Sequence, residues 1–148
     1  MPPSVYYIDS SALLKRYVAE RGSAWINDLI QSPDCDPYIA QITVVEVIAA
    51  MARRLTARQA AAAISAFRTD YARGFSVINI APAVIEQAML LAERRKLRGY
   101  DAVQLAAALA IQARLPARSP LTLIASAAEL LAAARDEGLT VDNPNEHP

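Results

Sequence analysis

Apolar and polar positions alternate in blocks along this chain, and the blocks predict strands and helices in turn. Val5–Ile8 is a short β-branched and aromatic run, the pattern of a strand buried on both faces. A helix is expected from Ser10 to about Val18, stopped by Gly22, and a second from Ser23, as its cap, through Ile30. Pro33, Asp34, Asp36 and Pro37 make a turn-rich link into a strand over Tyr38–Ile42. Thr43 is expected to cap a helix whose Val44, Ile48, Met51 and Leu55 share one stripe. An Ala-rich helix follows from Thr56 to Gly74, then a strand over Phe75–Ile80. Pro82 suits the first turn of a helix running to about Leu97 and closed by Gly99. An almost wholly apolar helix spans Asp101 to about Arg114, and Leu121–Ala125 is a fourth strand. A last helix follows Ser126 and runs through Arg135 to Gly138, and Thr140–Asp142 is a short fifth strand.

Strands that alternate with helices, often with helices in pairs, predict an α/β fold with a mostly parallel sheet covered on both faces. All 148 residues are expected to form one domain, with 143–148 as a loose tail. Composition agrees: 54% of the residues are hydrophobic, so a packed core rather than disorder is expected. The formal net charge is zero, which argues against binding through a broad electrostatic field but allows a local basic rim. The single Cys35 cannot form an internal disulfide or a thiolate zinc site, and the single His147 looks irrelevant to chemistry. No basic and apolar leader opens the chain, and its longest apolar run, Leu105–Ile111, is too short to span a bilayer. A soluble, cytoplasmic protein is the expectation.

Three acids stand out against this background. Asp9 follows the first strand, Glu46 lies in the first turn of the helix after the second, and Asp101 opens the helix before the fourth. Asp9 and Asp101 could each be simple helix N-caps, although Ser10 and Ser11 could cap in place of Asp9. Glu46 lies opposite the apolar stripe of its helix and could face solvent, but its small neighbours Ala49 and Ala50 would leave a cleft open beside it. Asp101 shares a narrow polar stripe with Gln104 and Gln112 on a helix that is otherwise apolar, so its carboxylate needs a partner. If the three converge, repulsion is the first difficulty: two like charges ~4 Å apart cost about 4 kcal/mol at an effective dielectric near 20. Either their pKa values rise or a cation sits between them, and oxygen ligands without His or Cys favour Mg²⁺ or Mn²⁺. An ion of that kind at a sheet edge suits phosphoryl chemistry.

Tyr7-Ile8-Asp9-Ser10-Ser11-Ala12-Leu13-Leu14-Lys15-Arg16-Tyr17 resembles the opening motif of PIN-domain ribonucleases, in particular the VapC toxins of bacterial type II toxin–antitoxin pairs. Thr43-Val44-Val45-Glu46-Val47 is similar to their second motif, and Leu97–Ala108, with Arg98-Gly99-Tyr100-Asp101, to their third. Ser126–Ala134 followed by Glu137-Gly138-Leu139 resembles the fourth. The resemblance implies a PIN-like three-layer sandwich around a parallel sheet of about five strands. It implies an Mg²⁺- or Mn²⁺-dependent endoribonuclease that cuts RNA, forms a homodimer and is silenced by a VapB-like antitoxin. Asp9, Glu46 and Asp101 map onto the family's metal site, Asp9 and Asp101 as ligands and Glu46 as a ligand or as the group that orients the attacking water.

One position departs from the family pattern. Many members carry an aspartate two residues before the glutamate of the fourth motif, and Ala127 stands there in this chain. Glu129 should point elsewhere, and Ser126 is left as an auxiliary oxygen. A catalytically attenuated partner of an antitoxin or of RNA is therefore the competing expectation. Lys15, Arg16, Arg53 and Arg98 are candidates for gripping an RNA backbone, with Arg54, Arg94, Arg95 and Lys96 close by. Tyr7 and Tyr100 flank acids and are expected to pack. Other magnesium phosphotransfer folds fit less well: a haloacid-dehalogenase-type enzyme would want an aspartate where Ser11 stands, and a receiver domain would want an acidic pair and a switch lysine.

Overall fold

In this computed structural model, which describes residues 3–148, the first apolar run forms strand β1, Ser4–Ile8. The elements that follow are α1 (Ser10–Leu13), α2 (Ser23–Gln31), β2 (Cys35–Ala40), α3 (Gln41–Arg54), α4 (Ala57–Arg73) and β3 (Ser76–Ile78). After them come α5 (Pro82–Arg95), α6 (Gly99–Arg114), β4 (Thr122–Ile124), α7 (Ala128–Asp136) and β5 (Thr140–Asp142). Short 3₁₀ turns cover Leu14–Arg16 and Pro144–Glu146.

The five strands are all parallel, in the order β3-β2-β1-β4-β5. The chain adds β2 and β3 on one side of β1 and then returns to add β4 and β5 on the other. The direction of winding therefore reverses between β1 and β4, the place where open α/β sheets form a crevice beyond the strand ends. Side chains alternate across the sheet and feed two cores. Tyr7, Ala40 and Leu123 pack with α5, α6 and α7, while Ile8, Ile39 and Ile124 pack with α1, α2, α3 and Phe67 of α4. The sandwich thus has the three layers expected.

Several boundaries differ from the expected ones for local reasons. β2 begins at Cys35 and includes Pro37, placed by the sequence in a turn. Its pairing with β3 starts only at Tyr38, so Pro37 has β1 on one side and no strand on the other, an edge-like setting that tolerates a missing N–H. β3 stops at Ile78, and the N–H of Ile80 donates to the Gln41 side chain instead. The first helix is a single turn continued as 3₁₀ to Arg16. Gly22 rather than Ser23 caps α2, and Ala40 rather than Thr43 caps α3. Lys96 closes α5 at a φ of 55°, and α6 begins at Gly99 with Arg98 as its cap.

The expected loose tail is held against the domain. Pro144 is buried, and Gly22 (φ 86°) approaches it so closely that an added Cβ would lie 2.4 Å from the Pro144 carbonyl oxygen. Arg21 donates to the Asn145 carbonyl at 2.6 Å. His147 stacks on Trp25 at a centroid distance of 4.3 Å and bonds to Asp142 at 2.8 Å. Among the described residues, no helix is long and apolar enough to cross a membrane.

Candidate active site

The carboxyl end of β1, one face of α3 from Ile42 to Arg53 and the first turn of α6 frame one cavity of about 390 Å³, which places Glu46 in the second turn of α3 rather than in its first. Asp9, Glu46 and Asp101 all line it, together with Ser10, Ser11, Ala49, Ala50, Arg53, Tyr100 and Ala127. The chain thus brings the three acids predicted from sequence to a single place. Small residues at 49 and 50 do leave the space beside Glu46 open.

Asp9 is the most deeply placed, 2% exposed at the N-cap of α1. Its capping bonds come from Ser11, the backbone N–H at 3.1 Å and the hydroxyl at 2.5 Å, and both go to Oδ2. Among the described residues no donor reaches Oδ1. The bland reading of Asp9 as a helix cap is therefore correct for one oxygen and leaves the other available. Burial raises its pKa from 3.8 to about 6; the Ser11 bonds oppose that rise, and the charges of Glu46 and Asp101 add to it.

Asp101 is not a cap, since Arg98 holds that position and Asp101 lies in the first turn of α6. Its pKa is raised by burial and by the charge of Glu129, against the nearby Arg98. Glu129 does not line the cavity, yet its charge reaches Asp101. Glu46 is raised as well, chiefly by burial, while hydrogen bonds from Gln104 and Ser10 pull the other way.

Gln104 is the polar residue whose role the sequence left open. It is fully buried, and its Nε2 donates to Glu46 Oε1 at 2.6 Å and to Thr43 Oγ1 at 3.0 Å. Its Oε1 accepts from Thr43 at 3.1 Å and from the Tyr7 hydroxyl. An ionised carboxylate can only accept, so the Gln104 amide must turn its nitrogen to Glu46 and its oxygen to Tyr7. Tyr7 therefore acts as a polar anchor from the opposite side of the buried amide. The signal was in the sequence: a glutamine three residues after Asp101 on an apolar helix.

None of the three acids forms an ion pair among the described residues. Oxygen donors without imidazole or thiolate, mutually repelling and without an ion-pair partner, fit a hard divalent cation. No three His, Cys, Asp or Glu side chains are gathered tightly enough among the described residues for a ready-made cluster. The expected cluster is thus a shared cavity with separate carboxylates, as like charges without a counterion would favour.

The basic candidates divide. Arg53 lines the cavity, is exposed and has no ion-pair partner among the described residues. Arg98 is exposed at the start of α6, near Asp101. Lys15 and Arg16 are engaged within the fold. The 3₁₀ turn tucks Lys15 inward, 5% exposed and 3.3 Å from Glu20, and Arg16 binds Asp70 at 2.9 Å and Asn27 at 3.2 Å. Arg54 pairs with Glu20, and Arg94 and Arg95 pair with Glu137. Ser126 lies outside the cavity wall, its N–H donating to the Ser11 hydroxyl at 3.0 Å, and Ala127 occupies the wall where the fourth acid was expected. Tyr100 does not pack as expected and is 63% exposed.

The PIN domain family model matches residues 6–118. The chain belongs to the PIN domain family. No curated protein matches it in sequence. Its fold is shared by a toxin–antitoxin complex from Klebsiella pneumoniae, 21% identical over 94% of this chain and 97% of that one, with a TM-score of 0.66. VapBC2 from Rickettsia felis, bound to a DNA fragment from its promoter, is 13% identical over 94% of this chain and 98% of that one, at a TM-score of 0.67. VapC20 from Mycobacterium tuberculosis, a toxin that cleaves the sarcin–ricin loop, is 19% identical over 86% and 94%, at 0.65. These likenesses establish the PIN fold of the chain, a five-stranded parallel sheet between two helical layers.

Proposed function

We propose that this PIN-domain chain is a metal-dependent endoribonuclease, the VapC-like toxin of a toxin–antitoxin pair. One observation carries the reading: three carboxylates without cationic partners face one cavity at the point where the sheet reverses its winding. The toxins and toxin–antitoxin complexes that share its fold support the same reading.

Asp9, through its free Oδ1, and Asp101 would hold Mg²⁺ or Mn²⁺, with Glu46 as a third ligand or as the acceptor that orients the attacking water. Such an ion, when bound, polarises the phosphate, lowers the pKa of water and stabilises the leaving oxygen. The chain's own residues do the rest. Ser11 fixes the rotamer of Asp9, and Gln104 fixes that of Glu46. Arg53, with Arg98 nearby, supplies positive charge for the RNA backbone. A VapB-like antitoxin would be the protein partner, a homodimer the assembly and the cytoplasm the compartment.

Calorimetric titration with Mn²⁺, paired with an RNA cleavage assay, tests this. Wild-type protein should bind the ion and cut RNA, and Asp101→Asn should lose both. Metal-dependent cleavage that Asp101→Asn leaves unchanged would remove this site from consideration.

A second reading rests on Ala127 in the cavity wall. A chain lacking the fourth acid could serve as a binding partner of antitoxin or RNA with little turnover. Ala127→Asp separates the two: a large gain in cleavage supports attenuation, and no gain supports a working three-acid site.

A further inference from the structure

Another cavity, of about 350 Å³, opens where the edge strand β3 meets the last turn of α6. Val77 and Ile78 of β3 and Ile111 of α6 give it an apolar floor. Three polar side chains border it: Tyr38 of β2, Asn79 just after β3, and Arg114 at the end of α6. It shares no lining residue with the acidic cavity. Asp101 and Arg114 lie at opposite ends of α6, which at about 1.5 Å per residue sets the two places roughly 20 Å apart.

The polar groups around this space are uncommitted. Tyr38 is half-buried, Asn79 and Arg114 are exposed, and none of the three side chains makes a hydrogen bond or ion pair among the described residues. No carboxylate among the described residues lines the cavity. A cation in the last turn of a helix suits the helix dipole, but that role asks for no phenol, amide and apolar floor facing the same space. Other surface cations are placed differently. Arg16, beside Cys35 and Phe75, is bound to Asp70, and Arg68 and Arg73 stand on one side of a single helix.

We infer that this cavity binds a small carboxylic acid with a branched or aromatic body, at a ligand site separate from the acidic cavity. Arg114 supplies the one positive charge and the fork of donors that takes a carboxylate side-on. Tyr38 and Asn79 add a donor each. A single cation matches a monoanion, whereas a phosphate dianion would leave one of its charges unmatched. The apolar floor covers the body of the acid. The volume falls in the range of small-ligand sites, roughly 300–1,000 Å³.

Titration of the ¹⁵N-labelled full chain with isovalerate, benzoate and phenylacetate, each beside its neutral amide, tests the inference near neutral pH. At least one acid should shift the backbone signals of Val77, Ile78 and Asn79 saturably, and its amide should bind at least about tenfold more weakly. Arg114→Gln should weaken that acid by about tenfold to about a hundredfold, the range of one lost charge-assisted contact. Tyr38→Phe should weaken it less. Arg114→Gln should keep the melting temperature and Mn²⁺ affinity of wild type. No saturable shift of these signals by any of the three acids at millimolar concentration overturns the site. Equal binding of acid and amide, or unchanged affinity in Arg114→Gln, overturns the carboxylate as its ligand. Self-association in sedimentation that protects the Val77 and Ile78 amides from exchange overturns it in favour of an interface between copies. All three results leave the nuclease reading in place, because that reading stands on other residues and other measurements.

Discussion

Gln104 reaches from the middle of an apolar helix to Glu46, 58 residues earlier in the chain, with its amide nitrogen 2.6 Å from the carboxylate oxygen. The amide is held at its other end by Tyr7 and Thr43, so three buried groups from β1, α3 and α6 set the direction of one cavity acid. Outer partners of this kind are typically worth ~10- to ~100-fold in metal affinity or activity. Gln104→Met keeps the volume and removes every bond. Its Mn²⁺ affinity should fall by about that factor, and Tyr7→Phe should produce a smaller loss in the same direction. Gln104→Met should also melt earlier, because the Thr43 and Tyr7 hydroxyls lose a buried partner at about 1–3 kcal/mol per group. An unchanged Mn²⁺ affinity with an earlier melt would assign the network to packing alone.

Asp9 makes the metal-free fold sensitive to pH in an unusual direction. Burial lifts its pKa from 3.8 to about 6, so the folded state prefers the protonated acid. The stability this proton contributes is complete below pH 3.8 and is lost as pH rises through about 6. A shift of that size corresponds to at most about 3 kcal/mol. Asp9→Asn keeps a capping oxygen and removes the charge. In chelator it should melt above wild type at pH 8, and the gap should close by pH 4. Adding Mn²⁺ should raise the melting temperature of wild type only.

Arg53 and Arg16 offer a direct comparison of a free and an engaged guanidinium. Arg53 lines the cavity, while Arg16 is tied to Asp70 and Asn27. Arg53→Ala should weaken RNA binding and reduce the salt dependence of log Kd by about one charge. Arg16→Ala should leave the salt slope alone and lower stability, because it strips Asp70 of its ion pair. The reverse pattern would place the RNA on the opposite side of α1.

Gly22 should tolerate no side chain. Its positive φ disfavours any Cβ, and that Cβ would meet backbone rather than a flexible side chain at Pro144. Gly22→Ala should cost about 1–3 kcal/mol in denaturant unfolding and expose residues 143–147 to limited proteolysis. Wild-type protease resistance in that variant would mean the turn and Pro144 separate without consequence.

The alternation of strands and helices could be read from the sequence because the central strands β1 and β4 are largely buried, and two-sided burial writes continuous apolar runs such as Val5–Ile8. The three acids were legible for a related reason: each interrupts an apolar block, and a carboxylate in that setting needs an explanation. The engagement of Arg16 was hidden because it depends on a partner far along the chain, and Asp70 carries no mark of its distance from Arg16 in space. Tyr100 misled in the opposite sense. An aromatic beside a motif normally packs, and only the packing of α5 and α6 decides which side of the helix is left open. The Gln104 network escaped because its partners lie 61 and 97 residues away. The tail escaped because a glycine and a proline in sequence read as looseness, whereas here they let two backbones touch.

The stack of Trp25 on His147 gives the molecule an optical gauge. The chain holds one tryptophan and one histidine, and the two rings lie 4.3 Å apart and 8° from parallel. Indole emission therefore comes from a single place and has a single imidazole as its neighbour. Separation of the two rings changes the surroundings of that one indole. Docking and release of residues 143–147 can be followed by light alone, on the native chain, with no label attached.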